Sequence, residues 1–531
     1  MEDAQSQPSA PKPSGPQELV AMETPVSKTI DHLAFCGREH SEALVLRGSV
    51  LSYDMLNLRI AALAQWLMSR GLVKGDRVAT WLNKTDIGCL MPLAAARAGL
   101  VHVPVNPLLK APQVKHILSD SGTKLLIANK ARLRLLDGVG VEALQLVEDT
   151  TLATLPEAEA QWRSGSDHDP DELAAILYTS GSTGLPKGVM LSHANMWLGA
   201  VSVAQYLQMQ AEDRTLCVLP LSFDYGQNQL LSTWYAGGAC YPIDYLTPRD
   251  VLKALAKYRI TTLAAVPPLW MQLVEQDWPE GATQSLRRLT NSGGALTTGL
   301  IKALQEKSPD SDIFPMYGLT EAFRSTYLPP HMVDDNPTSM GKAIPFAEIM
   351  LVDEKGQLIE GEGEGELVHA GPLVSLGYWQ DQERTDKRFK TAPQGSDYGG
   401  IAVYSGDIVR RDAAGLLYFV GRNDAMIKSS GNRISPSEVE EAALSSNIVS
   451  EAVAMGRPDA RLGESILLIT RAADGSLEDN DVQQWKDNLT KYMKTVIAGY
   501  MVPQEIVLLP SLPRNANGKI DRSLLAKEYG Q

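Results

Sequence analysis

Between residues 53 and 70 the apolar positions recur at helical spacing. Leu56, Ile60, Leu63 and Leu67 fall on one face, and Gly71 follows as a C-terminal stop. Arg77 to Leu82 then reads as a strand, 86–99 as a helix and Val101 to Val105 as a second strand. A short apolar run from Ala174 to Tyr178 predicts a buried strand. The alternation returns at 250–270, with a helix from Val251 to Tyr258 and a strand from Ile260 to Val266 that Pro267-Pro268 should end. Leu289 to Ala295 reads as a short strand running into Gly293-Gly294. Strands and helices alternating in this way predict α/β layers.

Punctuation suggests the domains. Residues 1–17 are rich in Pro, Ser and Gln without apolar periodicity, so a disordered leader is expected. A strand-like 415–420 runs into Gly421-Arg422-Asn423-Asp424. Beyond it come Ile427-Lys428, a Ser-Ser-Gly turn, and a helix signalled by Ser435, Pro436 and Glu438 in capping-box order. The expected fold is α/β: a large N-terminal multi-sheet domain over 18–421, a hinge at 422–424, and a smaller C-terminal α+β domain over 425–531. Gly361 to Glu366 is read as an acidic hairpin turn, since its glutamates would repel a phosphate.

Composition narrows the function classes. The chain has 531 residues, 44% hydrophobic and 21% charged, enough for a sizeable core. A net charge of −14 argues against a nucleic-acid binder or an anionic-membrane surface protein. Cys36, Cys89, Cys217 and Cys240 show no CxxC spacing and are expected to be buried free thiols in a reducing compartment. The scattered histidines have no zinc spacing. No signal-peptide pattern and no bilayer-length apolar run is present, so a cytoplasmic protein without an integral membrane segment is expected.

The densest chemistry lies at 177–193, LYTSGSTGLPKGVMLSH. Thr179, Ser180, Ser182 and Thr183 supply hydroxyls, Gly181 and Gly184 free the backbone, and Lys187 adds a mobile cation, a set suited to polyphosphate oxygens. It is not a Walker A loop, because Pro186 precedes the lysine and Val189 to Leu191 returns to strand. The whole stretch resembles the phosphate loop of the adenylate-forming superfamily, which includes acyl-CoA synthetases, peptide-synthetase adenylation domains and firefly luciferase. The resemblance spans residues 40–525 and includes stand-alone acyl-CoA ligases of bacterial exosortase gene clusters.

The resemblance implies roles at further motifs. In Tyr317-Gly-Leu-Thr-Glu321, Thr320 would bind the α-phosphate, Glu321 would hold Mg²⁺, and Tyr317 would stack on adenine alongside Gly293, Gly294 and Ala295. Asp407, in Ser-Gly-Asp, would accept bonds from the ribose hydroxyls, with Arg422 as a second ribose or phosphate contact. Lys519, in Pro513-Arg-Asn-Ala-Asn-Gly-Lys519, matches the family's catalytic lysine. Asn515 replaces the threonine common there and is not expected to affect Lys519. The implied reaction has two halves. A carboxylate attacks ATP to give an acyl-adenylate and pyrophosphate, and then coenzyme A or a carrier protein's phosphopantetheine takes the acyl group. Between them the small domain is implied to swing about Asp424, withdrawing Lys519 and presenting the loop of Gly431.

The acid is read from Leu219-Pro-Leu-Ser-Phe-Asp-Tyr-Gly226. Phe223 stands where many acyl- and aryl-CoA ligases carry histidine. Ser-Phe-Asp resembles the amino-acid-activating domains, in which Asp224 would pair with a substrate ammonium. Tyr225, Asn228, Thr290, Ser292, Met316, Arg324 and Ser325 would then line a small, partly polar pocket. Alternatively, Asp224 and Arg324 neutralise each other. The expected partners are a carboxylic acid or amino acid and, for thiol transfer, coenzyme A or a separate carrier protein. A non-catalytic nucleotide-binding relic is the alternative of another class, disfavoured by the retained Lys187, Glu321, Asp407 and Lys519.

Overall fold

The computed structural model describes residues 24–136, 144–179, 186–422, 425–429, 432–459, 461–473, 475, 481–515 and 518–530. Residues 1–17, Ser180 to Gly184, Asp424 and Gly431 therefore lie outside the described residues.

Four sheets form within them. One runs 145–148, 125–128, 77–81, 101–104, 173–179 and 187–192, parallel except for the last pair. A second has nine strands, with parallel 239–242, 214–217, 262–265, 288–291 and 312–317 at its centre. Strands such as Leu125–Ala128 and Thr262–Ala265 are buried along their whole length. Helix Tyr53–Ser69 buries the face expected of it, with Leu56, Ile60, Leu63 and Leu67 all fully buried. A third, antiparallel sheet joins 348–352, 363–370, 401–411, 389–391 and 417–422. The fourth contains 427–429, 432–434, 449–459, 463–472 and 505–508, and Ile434, Val439, Leu468, Leu489 and Ile506 pack in a core of their own beside it. No helix among the described residues is long and apolar enough to cross a membrane.

One local expectation holds with an addition, and two are corrected. Pro267 and Pro268 do end the preceding strand, but as the first residues of helix Pro267–Val274, where a missing N–H costs nothing. Most of the acidic run Gly361 to Glu366 is strand rather than turn, because 363–370 pairs on both sides with 348–352 and 401–411. Cys89, Cys217 and Cys240 are buried free thiols, whereas Cys36 is exposed.

One packing contact shapes the site directly. Phe323 is buried and holds φ +60° and ψ −57°, a positive-φ conformation unfavourable for an aromatic residue. Its ring lies against Gly199 of helix His193–Tyr206, where a Cβ would meet the ring at 2.3 Å. Glycine there lets Phe323 fold inward, and so sets the turn that carries Thr320, Glu321 and Arg324. Alanine inside a helix ordinarily stabilises by about 0.5–1 kcal/mol over glycine. For Gly199→Ala we expect the opposite sign: a lowered thermal midpoint, measured by calorimetry. A raised midpoint would contradict this account of the packing.

Candidate active site

The phosphate side is built by a hairpin. Thr179 ends strand Leu173–Thr179 and Lys187 begins Lys187–Ser192, and the two are register partners. The ends of the loop are thus fixed opposite each other, and the buried Thr179 hydroxyl has no protein partner among the described residues. The Lys187 ammonium donates to Glu321 Oε1 at 2.9 Å and to the Tyr378 hydroxyl at 2.8 Å. The Tyr378 hydroxyl donates to the same Glu321 oxygen at 2.6 Å, and Lys187 lies 4.3 Å from the Tyr378 ring centroid. Burial pushes the Glu321 pKa up, but the Lys187 charge and the Tyr378 and Lys187 hydrogen bonds outweigh it, leaving the carboxyl below its usual range. Burial, with Glu321 beside it, pushes Tyr378 up, so it stays a phenol and a donor. Thr320 stands next to Glu321 in the 3₁₀ turn Thr320–Ala322.

Sequence reasoning missed Tyr378. It is 191 residues from Lys187 and carries no local motif. Its place comes from backbone pairing: Gly377 O accepts from Met190 N–H at 2.9 Å and Gly188 O from Trp379 N–H at 2.8 Å. The segment therefore runs beside strand Lys187–Ser192.

The nucleoside side gathers Tyr317, Asp407 and Arg422. Asp407 and Arg422 face each other across strands Ile401–Arg411 and Leu417–Arg422, with Arg422 Nη1 at 3.8 Å from Asp407 Oδ1. The Tyr317 hydroxyl donates to Asp407 Oδ2 at 2.5 Å. Burial and the neighbouring Asp407 carboxylate drive the Tyr317 pKa well up. The sequence reading gave Tyr317 only a stacking face and did not foresee this bond from its hydroxyl to Asp407. Gly294 O accepts from Asn291 Nδ2 at 2.8 Å, and Ala295 is exposed.

The acid side is buried and charged. Asp224 opens helix Asp224–Tyr235, and its Oδ2 accepts from Arg324 Nη1 at 3.1 Å, with both side chains 3% exposed. The pairing weighed from sequence is thus formed. Arg324 also lies 4.5 Å from the Tyr225 ring centroid, and the Tyr225 hydroxyl shares a 2.6 Å hydrogen bond with Thr290. Asn228, Ser292, Met316 and Ser325 are buried. Met316 Sδ meets the Tyr206 hydroxyl at 2.8 Å, and Ser325 pairs with His369 Nδ1 at 2.9 Å, behind Arg324. Asp224 Oδ1, Asn228 Oδ1, Ser222 Oγ and Arg324 Nε and Nη2 are buried without a protein hydrogen-bond partner among the described residues. Such atoms are costly to bury unless a ligand or an ordered water satisfies them.

Lys519 reaches between Phe223 and Gly293. Its ammonium lies 5.1 Å from the Phe223 ring centroid, and its stem passes Gly293 so closely that a Cβ there would meet Cε at 2.8 Å. Gly293, at φ +81°, thus makes room for the lysine as well as a turn. Burial lowers the Lys519 pKa, partly offset by Asp224, while Arg324 adds to the lowering.

This geometry agrees with the comparisons. The AMP-binding enzyme family matches residues 34–379, and the AMP-binding enzyme C-terminal domain matches residues 438–519. The chain belongs to the AMP-binding enzyme family. A feruloyl-CoA synthase of an Amycolatopsis species is 29% identical over 501 residues, 92% of this chain and 96% of that one. The L-proline–[L-prolyl-carrier protein] ligase of Pseudomonas fluorescens is 30% identical over 508 residues, again 92% and 96%. ATP-bound MatB from Rhodopseudomonas palustris shares the fold, with TM-score 0.85 at 24% identity over 95% of this chain and 99% of that one. The o-succinylbenzoate CoA synthetase of Bacillus subtilis, in complex with its acyl-adenylate, gives TM-score 0.80 at 26% identity over 94% and 98%.

This AMP-binding enzyme is an adenylate-forming acid–thiol ligase of the acyl-CoA synthetase type. Glu321, an ionised carboxylate paired with a cation, fits a hard metal ion arriving with nucleotide. Two outcomes follow. Tyr378→Phe removes one donor to a charged group, which should raise the half-saturating Mg·ATP concentration on the order of tenfold or more; equilibrium nucleotide binding at varied magnesium measures it, and an unchanged value refutes the role. Because Lys519 is shifted below ordinary lysine, the alkaline limb of adenylation kcat/KM should fall at a lower pH than the usual lysine range. A limb at or above that range refutes the site's effect on Lys519.

Proposed function

We propose that this ligase activates a small amino acid, first as its adenylate and then as a thioester on a phosphopantetheine thiol, carried either by coenzyme A or by a separate carrier protein. One observation carries the choice of acid. Buried Asp224 spends Oδ2 on Arg324 and leaves Oδ1 without a protein partner among the described residues. A substrate ammonium satisfies that oxygen, so pairing with Arg324 and binding an ammonium are compatible. The pair also lies near enough to the Lys519 ammonium to affect its charge, which suits an amino group adjacent to the reacting carboxylate.

In the first half-reaction Lys519 holds the substrate carboxylate against the α-phosphorus and offsets the charge gathering there. Lys187, released from Glu321, and the Thr179 and Thr320 hydroxyls take the polyphosphate oxygens. Asp407, oriented by Tyr317, receives the ribose, and Arg422 lies beside it. A magnesium ion held by Glu321 would supply neutralisation of phosphate charge. The carboxylate oxygen bonds to phosphorus, the bond to the pyrophosphate oxygen breaks, and pyrophosphate leaves. A thiol then attacks the acyl carbon and AMP departs. For the second half Lys519 withdraws about a hinge at 422–424.

The second reading, a des-amino acid in a pocket whose charges cancel, is favoured by the Arg324–Asp224 pair itself. ATP–pyrophosphate exchange with matched amino and des-amino acids separates the two. Breaking one partner of a buried charge pair costs about 3–5 kcal/mol, so Asp224→Asn should reduce specificity for the amino acid on the order of hundreds-fold. The des-amino acid should lose much less. Equal losses, or a wild-type enzyme that ignores every amino acid, would reject the ammonium reading and leave the ligase assignment intact.

A further inference from the structure

The turn that delivers Lys519 is held in an unusual way. Its outer ends are tied by ion pairs to strand Val449–Asp459 and to helix Pro436–Leu444. Arg514 meets Glu451, and Arg522 makes a two-pronged contact with Glu440 at 2.7 and 2.6 Å. Glu440 is itself fixed, since its Oε1 accepts the Ala454 N–H at 2.8 Å. Arg514 and Ile520 form an isolated bridge, and Asp521 N–H reaches Pro513 O at 2.8 Å, closing the base of the turn.

Inside that frame one residue holds both polar groups of the Lys519 backbone. The Asn515 side-chain oxygen accepts the Lys519 N–H at 3.1 Å, and the Asn515 N–H donates to the Lys519 carbonyl at 2.8 Å. The Asn515 carbonyl also accepts from Gly518 N–H at 2.9 Å. The expectation that Asn515 leaves Lys519 unaffected is therefore corrected. The long lysine side chain then has to pass Gly293 and end beside Phe223. A small rotation of its backbone would move the ammonium much farther, because the stem acts as a lever.

We propose that Asn515 is a positioning residue for adenylation: its side-chain oxygen fixes the Lys519 backbone so that the ammonium enters the acid pocket. The proposal rests on the reading of Lys519 as the adenylation lysine. Asn515 touches no reacting atom. It acts on the first half-reaction and not the second, from which Lys519 is withdrawn.

The test uses the full chain and assays the halves separately, by ATP–pyrophosphate exchange and by thioester formation from supplied acyl-adenylate. Asn515→Leu keeps the size of the side chain and removes the acceptor, while Asn515→Asp keeps the acceptor. A displacement of about 1 Å near reacting groups can cost ~100-fold, so Asn515→Leu should lower exchange kcat by about tenfold to 100-fold with KM for ATP nearly unchanged. Thioester formation from adenylate should stay at the wild-type rate, which also shows that the variant is folded. Asn515→Asp should restore most of the exchange. Wild-type exchange in Asn515→Leu, equal loss in both halves, or no rescue by Asn515→Asp would overturn the proposal. Lys519→Ala distinguishes the failures. If it keeps normal exchange, the lysine assignment has failed; if it loses exchange while Asn515→Leu does not, only the positioning role has failed.

Discussion

A lysine ammonium must be carried from a turn in the C-terminal part of the chain into a buried pocket that already contains an arginine and an aspartate. Burial and Arg324 both oppose its charge, while Asp224 and the Phe223 ring face favour it. The rest of the site answers this constraint. Gly293 leaves space for the stem, and Asp224 stays partly available by sharing a single oxygen with Arg324. The turn is tied down by Asn515, Arg514 and Arg522. The result is a cation of lowered pKa beside Phe223.

The large body supplies the complementary parts from the ends of its sheets. Lys187 comes from a hairpin edge, Tyr317 from a strand end and Asp224 from a helix start. Each is locked by a residue remote in sequence: Lys187 by Glu321 and Tyr378, Tyr317 by Asp407, Asp224 by Arg324. Lys187 and Glu321 pair with each other, which offsets the cost of burying both charges. Phe323, pressed against Gly199, sets the turn between Glu321 and Arg324 and so couples the phosphate and acid sides.

Much of this was legible in the sequence because it is local. Helix periodicity located Tyr53–Ser69, and short apolar runs located 77–81, 101–104 and 173–179. The motif residues around Lys187, Thr320, Asp407 and Lys519 were readable as blocks. What escaped depends on pairing between distant segments. Tyr378 reaches Lys187 only because 375–379 runs beside another strand. The 361–366 run read as a hairpin turn because its glutamates would repel a phosphate, yet pairing with 408–411 makes most of it strand. Asn515 was read as a departure from a motif, when its side chain makes a backbone contact that composition cannot signal.

The central claim is that the Lys519 ammonium, placed beside Asp224 and Phe223, drives adenylate formation rather than nucleotide binding. Rapid-quench measurement of the acyl-adenylate formed in one turnover by Lys519→Gln, with the ATP dissociation constant measured on the same protein, tests it most directly. The account predicts adenylate formation slowed on the order of 100-fold or more, as for loss of a group that stabilises transition-state charge, with ATP affinity changed only slightly. Adenylate formed at the wild-type rate would contradict it, as would a loss explained entirely by weaker ATP binding.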